Sequence, residues 1–170
     1  GGQQQWCFTG DMTVRMIDGS TKRMDQLQKQ DWVMAVDHNN IEFVPVEFWL
    51  HRVPSQEAEF NVFETENGKT IKLTDKHYIF KGDCSRVGTG PVPILSMPKS
   101  AVFAEELREG DCLFTLGDDG KHMNEVHIVR ASKETHTGIY APMTESGRII
   151  VNDVHASCHN IMEETAMGHS

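Results

Sequence analysis

A cysteine stands seven residues into the chain, in Trp6-Cys7-Phe8-Thr9-Gly10-Asp11. Its thiol has one peptide carbonyl immediately to hand, that of Trp6. Attack there would turn the amide into a thioester. That shift is uphill, so a second nucleophile must trap the thioester before the cut becomes irreversible. An ordinary thiol, with a pKa of about 8.5, is only a few per cent thiolate at neutral pH. Cys7 therefore needs a base, or a site that strains the amide. Taken alone, it reads as readily as a buried structural cysteine.

Thr74-Asp75-Lys76-His77 holds groups of the required kind at the end of a predicted strand. A hydroxyl and an imidazole three residues apart can both reach one neighbouring peptide. They would polarise it, and His77 would protonate the departing nitrogen. By itself Thr-x-x-His is equally a hydrogen-bonded turn. Cys158, in Ala156-Ser157-Cys158-His159-Asn160-Ile161, follows a second predicted strand and has a core cysteine as its plain alternative.

The elements that must position these residues are short apolar alternations separated by turn residues, the pattern of an all-β domain. Strands are expected over Met12–Ile17 and Trp32–Val36, with a longer one over Phe43–Val53 in which Pro45 marks a bulge or edge. A hairpin is expected from Phe60–Thr65 to Thr70–Thr74, across Asn67-Gly68. Residues 81–100, with three glycines and three prolines, read as a long loop. The chain also repeats itself. Residues 24–33 resemble 104–113 at an offset of 80, from Asp31 to Asp111, and residues 71–77 resemble 149–155 at an offset of 78, from His77 to His155. Two like halves related by a pseudo-twofold axis are expected, with the loop as crossover.

With 170 residues, one domain with a full core is expected. Sixteen basic against 25 acidic residues, a formal charge of −9, argue against nucleic acid or an anionic membrane as partner. Four cysteines (Cys7, Cys84, Cys112 and Cys158) are too few and too scattered for a disulfide scaffold, and no CxxC pair suggests a metal site. No metal and no cofactor is expected, and Cys84 and Cys112 receive no chemistry.

Cys7-Phe8, Leu27-x-x-x-Asp31-x-Val33, Leu73-Thr74-x-x-His77, Tyr140-Ala141-Pro142-Met143-Thr144 and Val151-Asn152-x-Val154-x-Ala156-Ser157-Cys158 stand in the order found in hedgehog C-terminal autoprocessing domains. The chain resembles that Hint (Hog) module, a fold that hedgehogs share with inteins, and its wording is nearest the nematode warthog type. The resemblance implies a compact all-β disk of two related subdomains over residues 7–161. Residues 1–6 would then be the end of a released segment, and 162–170 a tail too short for a sterol-recognition extension. It further implies Cys7 as the nucleophile of a single-turnover autoprotease, Trp6–Cys7 as the cleavage site, and Thr74 with His77 as activators of the amide. Cys158 matches the late cysteine near the active site, a redox or thiol-exchange partner for Cys7; whether the two close a disulfide that would switch the nucleophile off is left open. The expected partners are the protein's own N-terminal segment as substrate and an alcohol, lipid or other nucleophile as acceptor. A monomer processed in the secretory pathway and secreted is the implied setting.

Two departures from the family pattern bear on the chemistry. Trp6 stands where the family usually has Gly. His51, in Phe48-Trp49-Leu50-His51-Arg52, stands where hedgehogs place an Asp base for the acceptor alcohol. A neutral imidazole can do that work near neutral pH, and Asp75 is a second candidate. A Hint-like scaffold with decayed chemistry, serving as a binding module, is the competing expectation. Intein-type splicing and a conventional cysteine protease fit less well.

Overall fold

A computed structural model describes residues 6–98 and 101–158. The proposed tail over 162–170 and most of the proposed released segment lie outside the described residues. The chain runs through β1 (Thr13–Arg15), β2 (Thr21–Arg23), β3 (Trp32–Asp37), β4 (Asn40–Pro45), β5 (Phe48–Thr65), β6 (Thr70–Leu73), β7 (Tyr78–Phe80), β8 (Ala101–Phe103), β9 (Cys112–Leu116), β10 (Met123–Met143), β11 (Arg148–Val151) and β12 (Val154–Ser157). The helical content of the described residues is three 3₁₀ turns, at Met24–Gln26, Ile94–Ser96 and Ala104–Glu106. The all-β expectation therefore holds.

One sheet of eight strands carries the fold, in the order β6-β5-β10-β9-β12-β7-β8 with β11 beside β12. Its spine is the antiparallel pair β5–β10, in register from Thr65 opposite Ile128 to Phe48 opposite Met143. The expected hairpin at Asn67-Gly68 is present as β5–β6, with Phe63 opposite Ile71. Gly68 adopts φ +83°, the left-handed conformation such a turn requires.

The expected strand Phe43–Val53 is instead two strands. β4 ends at Pro45, opposite Trp32 of β3, and β5 starts at Phe48 opposite Met143 of β10. Between them the backbone changes partner: Val46 N–H donates to Asp31 and Glu47 N–H to Met143. Trp32 O, opposite Pro45, accepts from Ile17 N–H rather than from β4, so the missing N–H of Pro45 costs no ladder bond and the change of partner falls between Val46 and Glu47.

The duplication is visible bond by bond. Gln30 N–H donates to Val46 O and Val46 N–H to Asp31 O; at the matching place Gly110 N–H donates to Ile128 O and Ile128 N–H to Asp111 O. The Asp31 carboxylate accepts from Gln28 N–H, and Asp111 from Arg108 N–H, both at 2.9 Å. Both turns need a left-handed residue. Gly110 supplies it freely at φ +91°, whereas Gln30 adopts φ +73° against its side chain's preference.

The two halves share one core. Phe8, Leu27, Val33, Ile71 and Leu73 of the first pack in the same buried cluster as Leu107, Leu113, Ile149, Val151 and Ala156 of the second. Each fully buried side chain of this size contributes about 1.5–3 kcal/mol. A second cluster, around Met34, Phe114 and Ile150, extends it.

The long crossover is held by two links that the sequence reading missed. Cys84 and Cys112 form a disulfide, with Cα atoms 5.5 Å apart, tying the loop to β9. The buried Glu125 carboxylate of β10 accepts from Cys84 N–H at 2.8 Å and from Arg86 N–H at 2.7 Å. Gly82 leaves room for this carboxylate, since a Cβ there would overlap Glu125 Oε2. The expectation that the cysteines form no disulfide framework is thus corrected for this pair. Cys7 and Cys158 are both buried and neither is in a disulfide, so the structure shows the domain without the switched-off bond.

Candidate functional site

The Cys7-Phe8 segment joins the end of β6 to the end of β10. Phe8 N–H donates to Tyr140 O at 2.8 Å, and Tyr140 N–H returns to Phe8 O at 3.1 Å. One residue earlier, Thr74 N–H donates to Cys7 O at 3.0 Å. Cys7 N–H donates to Thr74 Oγ1, also at 3.0 Å. Thr74 therefore grips both backbone groups of Cys7, and its hydroxyl oxygen sits against the nitrogen of the Trp6–Cys7 peptide. Leu73 and Phe8 also form a bridge, which keeps the strand end in place.

The Cys7 side chain is fully buried among Phe60, Ile139 and Ala141, with Leu50, Val53 and Ala58 at the margin. This apolar wall pushes the thiol pKa up to about 12, because burial disfavours the thiolate. Trp6 before it is half-buried.

His77 arrives by a tight turn, its N–H donating to Thr74 O at 3.1 Å. Its ring lies against Phe8, with centroids 4.3 Å apart. Nε2 is 2.7 Å from Ser157 O. A carbonyl can only accept, so Nε2 carries the proton and Nδ1 presents a lone pair. Nδ1 has no well-formed hydrogen bond among the described residues. Burial lowers the imidazole pKa to about 4, against the backbones of Ser157, Trp6 and Cys7, which act in the opposite sense. Those last two influences place the ring beside the Trp6–Cys7 peptide. At neutral pH the ring is uncharged and able to accept a proton at Nδ1.

β12 reaches this place as the repeat predicts. It pairs with β7, Ala156 opposite Ile79, which brings Ser157 O to His77. Cys158 follows at once. Its N–H donates to Gly147 O at 2.8 Å, and its sulfur is 3.6 Å from Thr144 Oγ1.

The remaining sequence candidates separate. His51 is half-buried on β5 opposite Ala141, a wall residue of the Cys7 pocket. Asp75 is already engaged, accepting from Asn61 Nδ2 at 2.7 Å and from Lys133 Nζ at 3.2 Å. Burial alone would raise its pKa, but Asn61 and Lys133 hold it below the usual carboxylate value. A carboxylate so paired is a poor base. Ser157, Asn61 and Lys133 escaped the sequence reading. Ser157 acts through a backbone carbonyl, which no residue type announces.

His155, the repeat's counterpart of His77, has a different environment. It is fully buried, stacked on Phe80 at 4.4 Å, and neither ring nitrogen has a partner among the described residues. Burial, then the nearby Arg148, lowers its pKa to about 3. The duplication has thus left one histidine beside the Trp6–Cys7 peptide and one in the core.

Comparison with known proteins gives the family. The Hint module family model matches residues 2–170. Warthog protein 4 of Caenorhabditis elegans is 38% identical over 168 residues, covering 93% of this chain and 28% of that protein. Indian hedgehog B protein of Danio rerio is 31% identical over 169 residues, covering 96% and 39%. The chain thus spans well under half the length of either relative. Among solved structures, a DnaB intein from Synechocystis superposes with a TM-score of 0.68 at 15% identity, over 89% of this chain and 96% of that one, a likeness of fold. The chain belongs to the Hint module family, is related to warthog and hedgehog proteins, and shares its fold with inteins.

Proposed function

We propose that this domain cuts its own chain between Trp6 and Cys7. The observation that carries the reading is the double grip of Thr74 on Cys7, with the neutral ring of His77 beside the same peptide. Cys7 Sγ attacks the Trp6 carbonyl carbon, the C–S bond forms and the C–N bond breaks. The thiol proton ends on the α-nitrogen of Cys7, carried there by His77 Nδ1. Thr74 Oγ1, by accepting from the Cys7 N–H, holds the nitrogen side of the scissile peptide in a fixed orientation.

The two proton affinities constrain the route. Burial raises the proton affinity of the thiol and lowers that of the imidazole, so a separate thiolate–imidazolium pair is disfavoured on both sides and the proposed route moves the proton along with C–S bond formation. An acceptor (an alcohol, a thiol or water) next attacks the thioester, and the C–S bond breaks with return of a proton to sulfur. His51 is the base assigned to an alcohol acceptor, since Asp75 is held by Asn61 and Lys133. The kinship with hedgehog proteins and the Cys84–Cys112 disulfide support an oxidising, secretory setting.

The test is mass analysis of the folded chain with dithiothreitol or hydroxylamine. Release of a fragment ending at Trp6, lost in Cys7→Ala, is expected. A folded chain that retains residues 1–6 under both nucleophiles would instead be a Hint scaffold serving only to bind.

A further inference from the structure

Away from Cys7, the disulfide has a neighbour that a structural bond does not need. His127 of β10 lies opposite Cys112 in the β9–β10 ladder. The Cys84 and Cys112 sulfurs and one ring nitrogen of His127 all lie within 4.8 Å of one another. His127 Nδ1 is 2.8 Å from Glu66 Oε2, and the same oxygen accepts from the His127 N–H at 2.9 Å. With Nδ1–H donating to the carboxylate, Nε2 holds the free lone pair. A carboxylate behind the imidazole is the support that metal-binding histidines usually carry.

We propose that the reduced form of this pair is a zinc site, with Cys84, Cys112 and His127 as ligands, Glu66 orienting the histidine, and a fourth position open to water. Two sulfurs on a tetrahedral zinc sit about 3.8 Å apart, given Zn–S bonds of about 2.3 Å. Cα atoms 5.5 Å apart allow that separation by side-chain rotation. Cys84 and His127 are half-buried, which gives reductant and metal a path. The absence of a CxxC pair hid the site, because its ligands come from a loop, β9 and β10. A phosphine reductant turns the S–S bond into two thiols and becomes a phosphine oxide, with oxygen and protons from water. Zinc then displaces two thiol protons to solvent. In either form the crossover stays pinned to β9, by a covalent bond under oxidising conditions and by a metal under reducing ones.

The test uses the full chain carrying Cys7→Ala and Cys158→Ala, which keeps it uncut and leaves only these two thiols. After phosphine reduction, cobalt(II) should bind one per chain, with a thiolate-to-metal charge-transfer band and the visible bands of a tetrahedral ion. Zinc should raise the melting temperature of the reduced chain and leave the oxidised chain unchanged. Glu66→Gln should weaken zinc by about 10-fold to 100-fold, and His127→Ala by more. Lack of the band, equal zinc response in the oxidised chain, or undiminished affinity in His127→Ala would each overturn the proposal. So would a reduced chain that unfolds and is not restored by zinc. Failure of Trp6–Cys7 cleavage would leave this result untouched, since cleavage plays no part in it.

Discussion

Two neutral imidazoles buried in one domain make its stability fall steeply in mild acid. His77 titrates at about 4 and His155 at about 3 in the folded chain, both below the ordinary 6.5. Between those values the unfolded chain binds protons that the folded chain refuses, so folding is opposed as pH drops. The stability is fully present above about pH 6.5 and is lost as pH falls toward 4 for His77 and toward 3 for His155. At pH 5 each group costs about 2 kcal/mol, ~4 kcal/mol together. That is a large share of the roughly 5–15 kcal/mol typical of a domain. Carboxylates contribute little to this loss, because those displaced here are held below their ordinary values and unfolded carboxylates titrate mostly below about pH 5. Urea unfolding of Cys7→Ala, which keeps the chain intact, should give a free energy about 4 kcal/mol smaller at about pH 5 than at about pH 7. His155→Phe separates the two contributions. Its ring can take the place of imidazole on Phe80 and leaves no unpartnered nitrogen, so it should be neutral or stabilising near pH 7 and halve the acid loss. Unfolding free energies agreeing within about 1 kcal/mol at the two pH values would refute the reasoning. An acid loss unchanged by His155→Phe would refute the part assigned to His155.

Three further perturbations have definite outcomes. Thr74→Val keeps the shape but strands the buried Cys7 N–H; stability should fall by about 1–3 kcal/mol, and thiol-induced cleavage should slow by about tenfold or more in single-turnover mass analysis. His51→Ala should spare cleavage by dithiothreitol while slowing transfer to an added alcohol, and Asp75→Asn should leave the alcohol step at its original rate; the reverse pattern would reassign the base. Cutting the Cys84–Cys112 bond, which spans 28 residues, should cost ~3–4 kcal/mol of stability in denaturant titration without metal, the chain-entropy value for such a loop.

What the sequence disclosed and what it hid divide along physical lines. The β5–β6 hairpin was readable because Asn67-Gly68 dictates its turn locally. The repeat was readable because Asp31 and Asp111 each close a turn on a residue three positions back, a local device with a local signature. The repeat in turn brought Ser157 to His77, since matching strands of two like halves pair across their axis. The break within Phe43–Val53 was missed because a continuing strand and a change of partner look alike until the next ladder partner, Met143, is known. Cys84 and Cys112 are joined by the path of an irregular loop, which alternation does not reveal. The role of Ser157 lies in its backbone, and that of Asp75 in Asn61 and Lys133, residues distant in sequence.

The position of Trp6–Cys7 relative to its helpers also sets a clock. A ribosome releases this peptide bond first, yet Thr74, Tyr140 and Ser157 must all be in place before its surroundings exist. From Cys7 to Ser157 is 150 residues of synthesis, about 8–30 s at ordinary elongation rates. Through that interval the bond is an unexceptional amide, and whatever precedes it has time to fold while still attached. An arrangement with the helpers upstream would act on the junction as it emerged. On the proposed function, this one ties cleavage at residue 7 to completion of the whole sheet, so an unfinished or misfolded domain would leave the chain uncut.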